Sequence, residues 1–458
     1  MALARIEELE RRLRRNSQNS SKPPSSDGPE APVQPRKDPE PGEKKRKPGG
    51  QPGHEGHHRP LLPAEQVDGF EDHYPVQCGG CRRRLPSRER HLVGEPARHQ
   101  VTDVPPVEPT TLEHRCHHQQ CPDCGTVTSA VLPADVPRSW FGPRLTALVA
   151  ILSGGYRLSK RSIVEIVHDL FGVEMSLGSV TACEQAVSMA VEAPVAEAHD
   201  FVQRQPVANA DETSWRERLQ KAWLWVMATP AVTVFKIHRR RGAVAAKALL
   251  GTFRGILTTD RWDGYLWYRG LRQICWAHLL RDFQDMSERK GQAGNIGRQL
   301  LGNTKRVFKH WHRVRDGTMT RLGFRRSMTN LRLDFERLLE LGQRGRTSIA
   351  GMCEEMLKLF PSFFTFVDHE GVEPTNNFGE RQIRFAVIWR KTSFGTHSEQ
   401  GSRFVERLLT VRASLRQQNR SVVEFLVQAY DAALRGEPAP SLLPRIHDEN
   451  HAFASIAA

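Results

Sequence analysis

The stretch QPVANADETSWRERLQKAWLWVMATPAVTVFKIH, residues 205–238, together with GILTTD, residues 255–260, decides the fold. Pro206 to Ala210 reads as an extended core segment, and the apolar run from Lys221 to His238 continues in strand-like pieces. GAVAAKALLG, residues 242–251, reads as a helix that leads into a further buried strand carrying Ile256 and Leu257. Strands and helix so interleaved predict an α/β core. Asp211 closes the first strand, and Asp260 closes the later one before the turn RWDGY. An Asp at the tip of an apolar strand is costly if buried and unpaired. It makes sense if it binds a cation or caps a turn.

A third carboxylate joins them. In EPTNNFGERQIRF, residues 373–385, Asn376 and Asn377 are good N-cap residues, so Glu380 falls in the first turn of an amphipathic helix. Ile383 and Val387 follow at i+3 and i+7, which places Glu380 on or beside the face that packs on the sheet. Two strand carboxylates and one helix carboxylate can hold two Mg²⁺ ions about 4 Å apart for in-line phosphoryl transfer. Oxygen donors select Mg²⁺ or Mn²⁺ over zinc at such a site. Nearby acids compete for these roles. Glu212 falls on the opposite strand face from Asp211 by period-two alternation. Asp263 lies in a turn, and Glu373 precedes a proline in a loop.

The bulk composition narrows the partner. A chain of 458 residues predicts roughly three domains. Its 66 Lys+Arg against 52 Asp+Glu give a net charge of +14, which favours a polyanion, nucleic acid or an acidic membrane surface. No run of ~18 apolar residues could span a bilayer. The opening MALARIEELERRLRRN lacks the apolar centre of a signal peptide, so nucleic acid leads and a cytoplasmic location is expected.

Residues 1–16 read as a short amphipathic helix, either a solvated stub or a dimer zipper. Residues 17–66 hold eleven of the 29 prolines and read as a disordered, Pro-rich basic linker. Its run Lys44, Lys45, Arg46, Lys47 is either simply solvated or touches phosphates. Residues 67–132 read as a zinc module. Cys78 and Cys81 form one Cys-x-x-Cys pair and Cys121 and Cys124 another, and four thiolates complete tetrahedral Zn²⁺. Cys116, His114, His117 and His118 are substitute ligands. Residues 135–203 read as a helical domain with a helix from GPRLTALVAILSGGYRL, a second from SKRSIVEIVHDLFG and a third from SLGSVTACEQAVSMAVEAPV. The last two have the layout of a helix-turn-helix, though many helical hairpins share it without touching DNA.

Residues 204–274 form the first part of the core, 275–366 a helical insertion rich in Arg and Lys, 367–415 the last part with Glu380, and 416–458 a C-terminal element. At the start of the insertion, Cys275 and His278 have metal-like spacing without a second pair to complete a set. Two readings stand: a packed Cys with a hydrogen-bonded His, or His278 positioning a scissile phosphate. Arg281, in the same helix, is placed to contact the backbone. Residues 381–420 carry nine Lys/Arg against Glu399 and Glu406, half the chain's excess charge in under a tenth of its length. Arg384, Arg390, Lys391, Arg403 and Arg407 are the candidate phosphate contacts there. Trp389 and Phe394 are core residues or base-stacking partners.

The segments NADETSWR, LTTDRWDGY, CWAHLLRDF and EPTNNFGERQIRFAVIWRKTSFGTHSEQGSRFVERLLTVRASL resemble the insertion sequence 66 family of bacterial DDE transposases. The front of the chain does too, through NSQNSSKPPSSD, KPGGQPGHEGHHR and the two cysteine pairs. The resemblance implies a ribonuclease-H-like core in which Asp211, Asp260 and Glu380 match the family's DDE residues. It also implies cleavage of transposon terminal inverted repeats and strand transfer into target DNA, in a bacterial, nucleoid-associated protein. Pairing two ends implies at least a dimer, and the family often works with two small accessory proteins. Two alternatives remain: a zinc-containing DNA-binding regulator with an inactive core, and a ribonuclease-H-like nuclease that cuts without joining.

Overall fold

A computed structural model describes residues 15–20, 59–85, 92–345 and 347–445. The KKRK run Lys44–Lys47 and the N-terminal helix up to residue 14 lie outside the described residues. The chain divides into two compact units, Pro32–Glu108 and the remainder. Cys78 and Cys81 fall in the first of these, and Cys121 and Cys124 in the other.

In the smaller unit, Leu62 N–H donates to Gln100 Oε1 (2.8 Å) and Gln100 Nε2 donates back to the Leu62 carbonyl (3.0 Å). Gln77 and Arg84 form an isolated bridge that closes the Cys78–Cys81 turn. In the larger unit, β1 (His118–Gln120) and β2 (Val127–Ser129) make an exposed antiparallel hairpin around Cys121 and Cys124. Near its front, residues expected as linker form a turn, and Asn19 Nδ2 donates to Glu288 Oε2 (3.0 Å).

The helical domain opens with α1 (Pro143–Ala150), started by Pro143 in the first turn. A single helix through Leu158 is the sequence expectation. Instead the ladder widens to a π-turn over Ile151–Gly155 and ends at Arg157, whose φ is 65°. The reason is close packing: a Cβ on Gly154 would lie 2.9 Å from Leu408 Cβ and Cγ. α2 (Lys160–Phe171) is capped by Ser159 and stopped by Gly172 in the left-handed region. α3 (Leu177–Ala190) is capped by Ser176, and α4 (Glu192–Gln203) follows.

The central sheet then forms from β3 (Val207–Glu217), β4 (Gln220–Ala228) and β5 (Thr233–His238), all antiparallel. α5 (Ala243–Leu250) crosses to β6 (Ile256–Thr259), which runs parallel to β3, and β7 (Arg272–Ile274) lies parallel to β6. The strand order is β5-β4-β3-β6-β7. The chain is thus the mixed α/β protein expected. One detail differs: β3 does not end at Asp211 but runs six residues further, because its pairing with β4 continues past the point where β6 stops.

The insertion is built from α6 (Trp276–Ser287), α7 (Gly291–Arg315), α8 (Arg321–Arg344), α9 (Ala350–Lys358) and the short α10 (Thr365–Asp368). It owns a separate apolar cluster centred on Trp276, whose ring meets Phe308, Phe335, Phe364 and Phe366 edge-on. The chain returns to the sheet with α11 (Asn377–Ser393), α12 (Glu399–Gln417) and α13 (Val422–Arg435). Sheet, α4, α5 and the last three helices share one large core. Among the described residues, no helix is long and apolar enough to cross a membrane.

Candidate active site

The parallel register of β3 and β6 places Val207 opposite Ile256 and Asn209 opposite Thr258. Continued two residues, it sets Asp211 level with Asp260, and both face the same side because side chains alternate with period two. Each Asp is braced by its own backbone: Asp211 Oδ1 accepts from Glu212 N–H (2.8 Å), and Asp260 Oδ1 from Trp262 N–H (3.0 Å). Burial pushes the Asp211 carboxyl well above the usual carboxylate range. Glu212, Asp260 and Glu380 push in the same direction, against the single backbone hydrogen bond.

Glu380 arrives through Asn376. This residue is 1% exposed, and its side chain does not cap α11, contrary to the expectation from sequence. It reaches across to β3: Asn209 Nδ2 donates to Asn376 Oδ1 (2.8 Å), and Asn376 Nδ2 donates to the Ala210 carbonyl (2.9 Å). Its backbone N–H donates to Cys275 Sγ (3.1 Å), and Trp276 N–H donates to the Pro374 carbonyl (2.9 Å). One buried asparagine thus ties together β3, the start of α6 and the start of α11. Gly379 lets the helix come close, since a Cβ there would lie 2.9 Å from Asn376 Oδ1. Glu380, one turn in, sits at the positive end of the helix dipole.

The Cys275-x-x-His278 segment belongs to this site. Glu380 Oε1 lies 3.9 Å from His278 Nδ1, and both atoms are buried without a hydrogen-bond partner. Ligand atoms of Cys275, His278 and Glu380 lie within 4.8 Å of one another, the one such trio among the described residues. The three carboxylates are not gathered as tightly. Burial holds the Cys275 thiol protonated, with its pKa pushed up to about 11. A neutral thiol that accepts an N–H is a packing group, and thiolate ligation is disfavoured. Burial, with Arg281 beside it, lowers the His278 pKa and keeps the imidazole neutral.

The residues therefore fit a hard cation better than a soft one. Buried carboxylates raise one another's proton affinity, and Glu380 Oε1 has no hydrogen-bond partner among the described residues. A divalent ion relieves both costs.

Around this centre stand Glu212, one of the competing acids, and residues that the sequence did not single out: Arg241, Tyr265, Arg261 and Asp282. Glu212, on the opposite face of β3, accepts from Arg241 Nη2 (2.9 Å) and Tyr265 Oη (3.4 Å). Burial and Asp260 push its pKa up to about 7 despite Arg241. Arg241 lies over the rings of Trp223 and Trp262. Arg261 pairs with the buried Asp282 (2.9 Å), fastening the turn after Asp260 to α6. No sequence spacing announces such partners, because they meet only once the sheet and the insertion have folded.

The basic candidates separate. Arg281, Arg384 and Lys391 make no hydrogen bond or ion pair among the described residues, and Arg384 and Lys391 are exposed. Arg390 donates to Ser214 Oγ. Arg403 is engaged by Glu406 (2.8 Å) and the Ile237 carbonyl (3.2 Å), and Arg407 by the Ser188 carbonyl (3.0 Å) and Glu192. Arg403 thus ties α12 to β5 and Arg407 ties α12 to α3 and α4, so both are already engaged. Trp389 is core, packed edge-on against Trp215, whereas Phe394 is 70% exposed. α3, the helix expected to enter a groove, carries no Lys or Arg, and its second half is largely buried.

The two cysteine turns share one local design. Cys78 N–H donates to the Arg83 carbonyl and Arg82 N–H to the Cys78 carbonyl, both 2.9 Å. Cys121 N–H donates to the Thr126 carbonyl and Gly125 N–H to the Cys121 carbonyl, again both 2.9 Å. In each, the residue after the second cysteine is left-handed: Arg82 at φ 59° and Gly125 at φ 71°. Backbone hydrogen bonds lower the Cys78 pKa, and the Thr126 hydroxyl lowers that of Cys124. Both shifts favour thiolate.

The sequence model of the Transposase IS66 family matches residues 138–403, from the helical domain through the insertion to the start of α12. A second model, a family of unknown function designated DUF6444, matches residues 1–60. No curated protein matches the chain.

Proposed function

Since the chain belongs to the Transposase IS66 family, whose model spans more than half of it, we propose that it is a DNA transposase cutting and joining phosphodiester bonds at Asp211, Asp260 and Glu380. The observation that carries this reading is the register that sets Asp211 beside Asp260, with the helix bearing Glu380 clamped over the same strand by Asn376. A mixed sheet with neighbouring parallel strands carrying the first two carboxylates supports a ribonuclease-H-like core. The helical insertion separates the second carboxylate from the third.

Asp211, Asp260 and Glu380 would hold Mg²⁺ or Mn²⁺, which when bound supplies an activated water or 3′-hydroxyl and stabilises the leaving oxygen. The protein's own part is positioning. Asn376 fixes Glu380 relative to β3, Arg261 and Asp282 fix the turn after Asp260, and neutral His278 lies beside Glu380 to donate a hydrogen bond to a phosphate oxygen. Arg281, Arg384 and Lys391 supply phosphate contacts. The two Cys-x-x-Cys turns, Cys78 with Cys81 and Cys121 with Cys124, with thiolate favoured at Cys78 and Cys124, support structural Zn²⁺ binding. The partners are transposon terminal inverted repeats and target DNA, with at least a dimer on paired ends and accessory proteins where encoded. The protein works on DNA in the bacterial cytoplasm, at the nucleoid.

The test is Mg²⁺-dependent cleavage of end-bearing duplex. Asp211→Ala is expected to abolish it while DNA binding survives, and retained cleavage sinks the assignment. Binding without cleavage by the wild type favours a regulator with an inactive core. Cleavage without strand transfer favours a nuclease.

A further inference from the structure

The π-turn that interrupts α1 delivers Arg157 to a place where a second arginine already waits. Arg157 Cζ lies 4.6 Å from the centroid of the Phe385 ring, and Arg412 Cζ lies 3.9 Å from the same centroid. Two guanidiniums thus share one ring, and neither makes an ion pair among the described residues. Arg157 Nη1 and Arg412 Nε are buried without a hydrogen-bond partner. Burial lowers the Arg412 pKa to about 10, and Arg416 and Arg157 press it in the same direction.

Such an arrangement is unfavourable by itself. Like charges are brought together, desolvated and left without a carboxylate, and the local backbone is strained to do so. Arg157 occupies the left-handed region without being glycine. Gly154 and Gly155 let the turn lie against α12, where Arg412 Cδ would be 3.7 Å from a Cβ on Gly155. π-turns recur at functional sites. A planar guanidinium matches the geometry of a phosphate, which it binds through two parallel N–H donors.

We infer that Arg157 and Arg412, stacked on Phe385 with Arg416 at the rim, form a binding site for a DNA backbone phosphate. The site rests on the transposase reading for its partner, but its chemistry is that of any phosphate dianion or diester. Phe385 follows Glu380 by five residues on α11, roughly 7.5 Å along the helix axis. Five residues also turn the helix by about 140°, so this phosphate lies on another face of α11 from Glu380, apart from the scissile bond.

The experiment uses the full chain and a 30-base-pair duplex of arbitrary sequence, without added divalent metal so that no strand is cut. Affinity is measured from about 50 to 200 mM salt for wild type, Asp211→Asn, Arg157→Gln and the pair Arg157→Gln with Arg412→Gln. Wild type and Asp211→Asn are expected to give the same affinity and salt slope. The double variant is expected to bind at least tenfold more weakly, with a log–log slope shallower by about one to two units. It should melt no lower than wild type, since it removes facing like charges. Arg157→Gln alone, a change in a loop, should lower the slope by about one and covers the case in which the pair fails to fold. Unchanged slopes in both variants overturn the inference, as does weaker binding at unchanged slope. Inorganic phosphate that raises the wild-type melting temperature, without any change of DNA slope in the variants, assigns the pocket to a free anion and overturns the DNA assignment. Loss of cleavage in Asp211→Asn bears only on the catalytic reading.

Discussion

Asn376 is the residue on which the candidate active site turns. It spends its side chain on β3 and its backbone N–H on Cys275, so it holds Glu380 in place without touching any reacting atom. Asn376→Ala removes two buried hydrogen bonds, and urea unfolding is expected to show a loss of about 2–3 kcal/mol. Cleavage should fall further than duplex binding, since the helix bearing Glu380 loses its register. Glu406 makes a different point. It accepts the Ile237 N–H and pairs with Arg403, yet burial wins and lifts its pKa to about 7 from 4.5. A folded pKa above the unfolded one gives stability that is complete below pH 4.5 and lost as the pH rises through 7. Glu406→Gln is expected to flatten that decline and raise stability at pH 8, by roughly 3 kcal/mol at most. Glu212 leaves a second slope in the same window, and an unchanged profile in the variant would contradict the account. Asp211 and Asp260 stand out in the sequence because an acid at the end of an apolar run is conspicuous, and Glu380 because it falls in the first turn of an amphipathic helix. Asn376 stands at the N-cap position its residue type favours, but its side chain bonds instead to Asn209 and Ala210, residues 167 and 166 positions away that no local pattern announces.

At the scale of elements, the strands, the insertion and the helix carrying Glu380 follow from periodicity and turn residues. What periodicity missed are the places where two elements press together. The π-turn after α1 is one, since only the approach of Leu408 explains Gly154. Gly154→Ala is expected to force α1 away from α12 and to cost about 1–3 kcal/mol in chemical unfolding, through overpacking. The basic helices were legible as charge but not as function, because a count of arginines does not say which are engaged. Arg384 is exposed and without a partner among the described residues, whereas Arg407 is bound to Ser188 and Glu192. Arg384→Gln is expected to reduce the salt slope of duplex binding by about one, and Arg407→Gln to leave the slope alone while lowering the melting temperature. Equal slopes for the two would remove the distinction.

At the scale of the whole molecule, strand register fixes Asp211 and Asp260 on the sheet, and Glu380 returns to it after a helical excursion with its own aromatic core. The cysteine turns are a separate matter from the chemistry. Bound Zn²⁺ is expected by metal analysis, reduced in Cys78→Ser and in Cys124→Ser and unchanged in Asp211→Ala. The central claim is that Asp211, Asp260 and Glu380 act as one metal-binding set. Its most direct measurement is Mg²⁺-dependent cleavage of an end-bearing duplex by Glu380→Gln beside Asp211→Asn and Asp260→Asn. All three are expected to lose cleavage by at least a thousandfold while binding the duplex as wild type does. A Glu380→Gln protein that still cuts at a rate near wild type would contradict the account.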